Sequence, residues 1–174
     1  MKKNSEEQFE AFNSFAQQNR NFCWTLEKPE STISLGSTLT KKFPDLSILL
    51  LNGPLGAGKT TLVKGIAKSL RIKEAITSPT FALSQHYPFG SPPLIHLDLY
   101  RIEEPSAANE FFLQEEEESK AIGALMVVEW PERLSLPMKD AWRGKLEYSS
   151  KNKGRFFQLI PPLDRESNLS ISSE

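Results

Sequence analysis

The segment ILLLNGPLGAGKTT occupies residues 48–61. Its first four residues form an apolar run that is typical of a strand buried on both faces. From Gly53 to Thr60 the chain matches in full the pattern G-x-x-x-x-G-K-[ST] of a phosphate-binding loop. In such a loop the glycines let backbone N–H groups turn toward phosphate oxygens, and the next helix presents its positive N-terminal end. The segment therefore predicts a strand, a nucleotide phosphate site and a helix, in that order.

The residues after this loop repeat their apolar positions with helical spacing. Leu62, Ile66 and Leu70 recur every four residues, which predicts a helix that packs one face against a sheet. The alternative for the loop is a Gly-rich turn that binds no ligand. A buried-type strand before the motif and a helical pattern after it favour the phosphate-binding interpretation.

Apolar runs elsewhere predict that strands and helices alternate along the chain. The expected strands are residues 22–26, 48–51, 81–85, 94–99 and 124–128, followed by a hairpin over 145–160 that turns at 151–154. The expected helices are an amphipathic one that carries Leu35, Leu39 and Phe43 and stops at Pro44, the helix after the loop, and a weak acidic one over 103–120. This alternation predicts an α/β fold with a mostly parallel sheet flanked by helices.

Length and composition indicate one folded domain. The chain has 174 residues, of which 39% are hydrophobic and 25% charged, close to the averages of soluble proteins. Its 21 basic and 22 acidic side chains leave a net charge of -1, which argues against a dedicated nucleic-acid binder. No apolar run approaches the ~20 residues of a membrane span. A single cysteine, Cys23, and a start without the pattern of a secretory signal favour a reducing, cytoplasmic location.

The nucleotide-binding domain is expected at residues 22–161. Residues 1–21 are expected to form an N-terminal extension, in which Phe9, Phe12 and Ala16 lie at helical spacing. The Ser-rich residues 162–174 are expected to be a flexible tail.

Side chains suited to a magnesium–nucleotide site follow the loop and end two predicted strands. Lys59 is expected to reach the β- and γ-phosphates, and the Thr60 hydroxyl is expected to ligate magnesium. Asp98 and Glu129 each end an apolar strand, and the carboxyl ends of parallel strands share one edge of a sheet. Either carboxylate can serve as the acid that holds the cation. The structural alternative is that each one caps a neighbouring loop.

Three further residues have sequence contexts that bear on the site. Thr80 lies in a Ser-Pro-Thr-Phe segment, where many P-loop proteins place a loop that senses the γ-phosphate. His96 alternates with apolar residues, which favours a packed strand residue over a catalytic base. Trp130 either covers the edge of the core or contacts a partner or the nucleotide.

Five motifs, in order, resemble those of the TsaE (YjeE) family. They are TISLG at 32–36, GPLGAGKTT at 53–61, TSPTF at 77–81, HLDLYR at 96–101 and VEWPE at 128–132. Members of this family are small P-loop ATPases that bind the TsaB–TsaD complex and support threonylcarbamoylation of the adenosine beside the anticodon of ANN-decoding tRNAs. The resemblance, which covers about residues 28–159, implies an ATPase with ATP or ADP and Mg²⁺ as cofactors. It also implies TsaD and TsaB as partners, tRNA contact only through their complex, and a monomer or weak oligomer alone.

The same resemblance implies roles for individual residues. Thr60 and Glu129 match magnesium-binding positions, and Asp98 matches an acidic position important for hydrolysis. The implied catalytic residues are Lys59, Asp98, Glu129 and Thr80, the last in a switch-like loop. The implied nucleotide-binding residues are Thr32, Gly53, Pro54, Leu55, Gly56, Ala57, Gly58, Lys59, Thr60, Thr61 and Arg155.

The chain departs from the family pattern at two places. Pro54 stands where the family usually has an acidic residue, and it stiffens the turn without removing an N–H that faces phosphate. The Leu-Gly segment that normally follows the Tyr-Arg motif is not evident within residues 110–118.

The hypothesis from these observations is slow, partner-dependent ATP hydrolysis that drives assembly or reset of a tRNA-modifying complex. The alternative is a small-molecule P-loop kinase, in which Asp98 would act as a base on an acceptor hydroxyl. Such kinases commonly carry a basic lid, whereas residues 103–118 are acidic. A third possibility is a nucleotide-binding scaffold that never hydrolyses.

Overall fold

The apolar segment Ile48–Asn52 forms β2, the middle strand of a seven-stranded sheet. The computed structural model describes residues 21–149 and 154–162. In these ranges the strands are β1 (Phe22–Leu26), β2 (Ile48–Asn52), β3 (Ser84–Tyr87), β4 (Leu94–Asp98), β5 (Leu125–Glu129), β6 (Trp142–Tyr148) and β7 (Arg155–Ile160). The helices are α1 (Pro29–Lys42), α2 (Lys59–Ser69) and α3 (Pro105–Ile122), and a short 3₁₀ helix covers Pro131–Arg133. None of the helices in these ranges is long and apolar enough to cross a bilayer.

The strand order is β1-β7-β6-β2-β5-β4-β3. Strands β6, β2, β5 and β4 pair in parallel, while β7, β1 and β3 extend the sheet by antiparallel pairing at its two sides. The predicted α/β fold is therefore confirmed, with antiparallel pairing confined to the outer strands. Because parallel strands end at the same edge, the carboxyl ends of β2, β4 and β5 lie together.

Apolar side chains cover both faces of the sheet. The larger cluster packs under α1 and α2 and includes Leu39 and Val127. The smaller cluster packs under α3 and includes Leu97, Phe112 and Val128. Successive residues of a strand point to opposite faces, so each of the central strands contributes to both clusters.

Helices α1 and α2 cross at a distance that only glycine permits. A Cβ added at Gly36 would overlap the backbone oxygen of Leu62, and one added at Gly65 would overlap that of Ile33. Ser37 Oγ also donates a hydrogen bond to the Gly65 carbonyl at 2.8 Å. This contact fixes α1 against the helix that follows the phosphate loop.

Strand β3 begins three residues later than the sequence predicts. The Leu83 N–H donates to the Pro79 carbonyl at 2.6 Å, and Leu83 has a positive φ of 65°. Residues 79–83 therefore form a turn, and pairing with β4 starts at Ser84.

The other predicted elements lie where the sequence places them, with shifts of a few residues at their ends. The acidic helix, expected over 103–120, begins at Pro105 and ends before Gly123, which has a φ of 64°. The predicted hairpin forms as β6 and β7. Residues 151–153 of its predicted turn at 151–154, the predicted helix around Phe9 and most of the tail lie outside the described residues.

Candidate active site

The phosphate-loop segment joins β2 to α2 through residues 53–58. Gly53, Gly56 and Gly58 have positive φ angles of 148°, 74° and 106°, a region that residues with side chains rarely adopt. No side chain caps α2 at its N-cap residue, Gly58. The first N–H groups of α2 have no partner within the helix, so they and the positive end of its dipole are available to an anion.

Lys59, the first residue of α2, is buried with 4% of its surface exposed. Its Nζ donates to the carbonyls of Gly53 at 2.7 Å and Pro54 at 3.1 Å. It also lies 3.9 Å from the centre of the Trp130 ring. Burial lowers the pKa of Lys59 below its ordinary value, and the negative charges of Glu129, Glu132 and Asp98 oppose that shift. The ammonium is thus held at the loop by contacts that a phosphate could replace.

The two predicted carboxylates lie side by side at the edge of the sheet. Asp98 of β4 is directly opposite Glu129 of β5 in the parallel ladder, and both are buried. Glu129 Oε1 accepts a hydrogen bond from Thr60 Oγ1 at 2.8 Å, and His96 Nε2 lies 2.9 Å from the same oxygen. Glu129 is therefore the carboxylate that the structure joins to the start of α2.

Asp98 binds the turn that precedes β3. Its Oδ2 accepts hydrogen bonds from Ser78 Oγ and Thr80 Oγ1, each at 2.6 Å. Its Oδ1 accepts one from the backbone N–H of Tyr100 at 3.1 Å. The segment that carries Thr80 is therefore tied to the second acid of the site.

These groups line one cavity of about 430 Å³. The cavity is lined by the loop and the first residues of α2, and also by Asp98, Tyr100, Glu129 and Trp130. The centres of the Tyr100 and Trp130 rings are 4.9 Å apart. The cavity places predicted phosphate-binding, acidic and switch residues around one space.

A second cavity of about 200 Å³ lies on the other side of the loop. It is lined by Thr32 at the start of α1, by Gly56 to Gly58 and by Arg155 of β7. Arg155 Nη2 donates to the Gly56 carbonyl at 3.4 Å, and its guanidinium lies 4.3 Å from the centre of the Tyr148 ring. The structure thus brings Thr32 and Arg155 to the loop from two distant parts of the chain.

The residues of the site fit a magnesium–nucleotide complex. Uncapped amides and Lys59 supply donors for phosphate oxygens, and a hydroxyl and a carboxylate are ligands that Mg²⁺ prefers. Among the described residues, none donates to Glu129 Oε2, so this oxygen is left for a cation. In the same ranges no group of three or more His, Cys, Asp or Glu side chains could hold a metal. This agrees with Mg²⁺ that is bound together with phosphates, because such an ion typically has only a small number of protein ligands.

All the predicted site residues line these two cavities or lie in the loop, whereas several of their partners were not predicted from the sequence. Ser78 stands next to Thr80 and binds the same carboxylate oxygen. The Tyr148 hydroxyl donates to the Leu55 carbonyl at 2.6 Å, a contact that no local pattern indicates. The contact of His96 with Glu129 has one signal in the sequence, a polar residue inside an otherwise apolar strand.

The model of the family described as threonylcarbamoyl adenosine biosynthesis protein TsaE matches residues 26–156. Among curated relatives, the tRNA threonylcarbamoyladenosine biosynthesis protein TsaE of Nostoc sp. strain PCC 7120 is 44% identical over 109 residues, 63% of this chain and 67% of that protein. The protein of the same name from Bacillus subtilis strain 168 is 32% identical over 160 residues, 84% of this chain and 96% of that protein.

A solved structure supports the same assignment. The crystal structure of Bacillus subtilis YdiB matches with a TM-score of 0.65 and 28% sequence identity, over 86% of this chain and 91% of that chain. The chain therefore belongs to the TsaE family of threonylcarbamoyladenosine biosynthesis proteins.

Proposed function

We propose that this protein is the ATP-binding and ATP-hydrolysing component of the machinery that makes threonylcarbamoyladenosine in tRNA. The observation that carries the proposal is the uncapped corner from Gly53 to Thr61, which opens into a cavity shared with Asp98 and Glu129. The relatives from Nostoc and Bacillus are named as tRNA threonylcarbamoyladenosine biosynthesis proteins, and the proposal carries that pathway over to this chain.

The corner is suited to the triphosphate of ATP. The amides of α2 and the loop would hold the phosphates, and Lys59 would exchange its bonds to the Gly53 and Pro54 carbonyls for bonds to phosphate oxygens. The cavity at Thr32 and Arg155 adjoins the loop on its other side and would take the nucleoside.

Thr60 and Glu129 would hold magnesium. Thr60 donates its hydroxyl proton to Glu129, which keeps the oxygen lone pairs of the hydroxyl for a cation. The bound ion would neutralise charge on the phosphates during hydrolysis.

Asp98 and Thr80 are assigned to hydrolysis. Asp98 lines the same cavity as the loop and would act on the attacking water. Thr80 donates to Asp98, so a γ-phosphate that draws the Thr80 segment toward itself would also free an acceptor on Asp98. This coupling is the proposed switch.

TsaB and TsaD are the proposed partners, and slow turnover is proposed for the protein alone. The cavity is bordered by side chains that remain exposed, Leu55 at 71% and Tyr100 at 41%. These exposed side chains leave the mouth of the cavity open to solvent. A partner that covers this mouth would exclude water and order the Thr80 segment.

The test measures phosphate release from ATP by the protein alone, with TsaB, with TsaD and with both. We expect slow release alone, a marked rise with both partners, and loss of the rise in Lys59→Ala. Rapid turnover that the partners do not change would contradict the proposal. Transfer of γ-labelled phosphate to a metabolite would favour the kinase, and binding without any release would favour a scaffold.

A further inference from the structure

His96 is a polar residue at the centre of β4, a strand whose residues are all buried. All five residues of β4 are buried, and His96 has 0% of its surface exposed. Burying a polar ring costs free energy unless the ring is hydrogen-bonded. An apolar residue would satisfy the packing of this strand. The imidazole is therefore expected to make a specific hydrogen bond that an apolar residue could not make.

The contact is with the carboxylate that reaches α2. His96 Nε2 lies 2.9 Å from Glu129 Oε1, and the same oxygen accepts the Thr60 hydroxyl at 2.8 Å. A neutral imidazole has one N–H donor, and the 2.9 Å distance suits a hydrogen bond in which Nε2 donates that proton to the carboxylate oxygen. The three side chains form a continuous chain from the interior of the sheet to the first turn of α2.

The ring has no other polar contact in the part of the chain that the structure describes. His96 Nδ1 is buried and has no hydrogen-bond partner there. Among the residues at 21–149 and 154–162, the bond to Glu129 is therefore the single polar interaction that offsets the burial of this side chain.

We infer that His96 is a positioning residue, whose Nε2–H fixes the Glu129 carboxylate so that Oε1 meets Thr60 and Oε2 faces the cation. The inference rests on the proposed function, because the proposed cation is the one that Glu129 and Thr60 would bind. Groups that orient a metal ligand from behind typically contribute a factor of about 10 to 100 to metal affinity. Here the oriented ligand is a carboxylate and the supporting group is an imidazole.

Three variants separate the hydrogen bond from the volume of the ring. In His96→Gln the side-chain amide can place a donor near the position of Nε2. In His96→Asn the donor stops near the position of Nδ1, and His96→Leu has no donor. Circular dichroism and thermal melting identify the variants that fold. If the Leu variant does not fold, the comparison of the Gln and Asn variants still tests the hydrogen bond.

The readout is the binding of a fluorescent ATP analogue as Mg²⁺ is titrated, with a parallel titration in EDTA. We expect the Mg²⁺ concentration for half-maximal enhancement to rise about 10- to 100-fold in the Asn and Leu variants. In the Gln variant we expect it to stay within a few-fold of the wild type. Affinity in EDTA should change less than about threefold in all three, because the amides of the loop and Lys59 are untouched. A wild-type Mg²⁺ requirement in Asn and Leu, or a Gln variant as impaired as Asn, would overturn the inference.

A measurement on the unmodified chain tests the hydrogen bond directly. The chain has two histidines, so a long-range ¹⁵N–¹H spectrum, with His86→Gln for assignment, reports which nitrogen of His96 is protonated. A proton on Nε2 supports the inference, and a bare Nε2 overturns it. If the wild type binds no nucleotide at all, the proposed function fails, whereas normal Mg²⁺-dependent binding in every His96 variant defeats only the present inference.

Discussion

The Lys59 ammonium lies 3.9 Å from the centre of the Trp130 ring while it donates hydrogen bonds to the carbonyls of its own loop. Trp130, the residue after Glu129, has a positive φ of 60° and lines the cavity. A movement of the Lys59 ammonium therefore changes the surroundings of the Trp130 indole ring. A phosphate that recruits Lys59 must change the environment of this tryptophan.

Tryptophan fluorescence should consequently follow nucleotide binding. The chain has three tryptophans, and of these only Trp130 lines the cavity. We expect a saturable change in emission on addition of Mg·ATP, retained in Trp24→Phe and absent in Trp130→Phe. A change that persists in Trp130→Phe would show that the signal arises elsewhere.

Removal of the Lys59 ammonium should weaken ATP binding. A charge-assisted hydrogen bond contributes about 1.5 to 3 kcal/mol, or about ten- to a hundredfold in affinity. Isothermal titration of Lys59→Ala with ATP measures the loss. Lys64→Ala removes an exposed lysine of the same helix and should bind as the wild type does. Equal affinity in the two variants would exclude Lys59 from the phosphate site.

Lys59 should make the nucleotide-free protein less stable at neutral pH than a variant with an apolar residue at this position. Because the folded-state pKa of Lys59 is lowered by burial, the unfolded chain binds this proton more tightly, and its charge opposes folding below that pKa. We expect Lys59→Met to melt at a higher temperature at neutral pH. This advantage should shrink as the pH rises through the folded pKa toward the ordinary value of about 10.4. A constant difference across the alkaline range would contradict the shift.

Asp98→Asn should separate hydrolysis from binding. The amide keeps the size of the side chain but removes the charge that would act on water, and loss of a general base typically costs a factor of about 100 or more in rate. Phosphate release with TsaB and TsaD present should fall accordingly, while ATP affinity changes less than about threefold. Asp140→Asn changes an exposed aspartate and serves as the control for charge. If Asp98→Asn released phosphate at the normal rate, the assignment of this acid would be wrong.

The crossing of α1 over α2 should be sensitive to a single methyl group. Gly65→Ala improves helix propensity by about 1 kcal/mol, yet its Cβ would overlap the Ile33 carbonyl. Overpacking of a rigid contact costs about 1 to 3 kcal/mol, and the neighbouring atom is backbone. We expect a net loss of stability in urea unfolding, with Lys68→Ala, at an exposed position of α2, as the control. Higher stability in Gly65→Ala would show that the helices can separate without cost.

The elements with strong local signals could be predicted from the sequence. The run at 48–51 is apolar because β2 is covered on both faces, and the glycines of the loop occur where positive φ angles are required. Asp98 and Glu129 could be placed at one edge because each ends an apolar strand, and they do lie opposite each other in the ladder.

Contacts between distant segments could not be predicted in this way. The pairing of β1 with β7 joins residues more than a hundred positions apart, and no local pattern encodes that choice. The bond of Tyr148 to Leu55 has the same character. The late start of β3 depends on one backbone hydrogen bond at Leu83, whereas the apolar pattern there is compatible with an earlier start.

Two hydroxyl groups bind one oxygen of Asp98 in the protein without nucleotide. One oxygen of this carboxylate accepts two hydroxyl groups, from Ser78 and Thr80, which fills both of its acceptor positions. Under the proposed function, a resting molecule thus has its hydrolytic acid engaged by its own polypeptide. Such a molecule would hydrolyse little ATP even where ATP is abundant. Release of those two hydroxyl groups would be the step that starts hydrolysis.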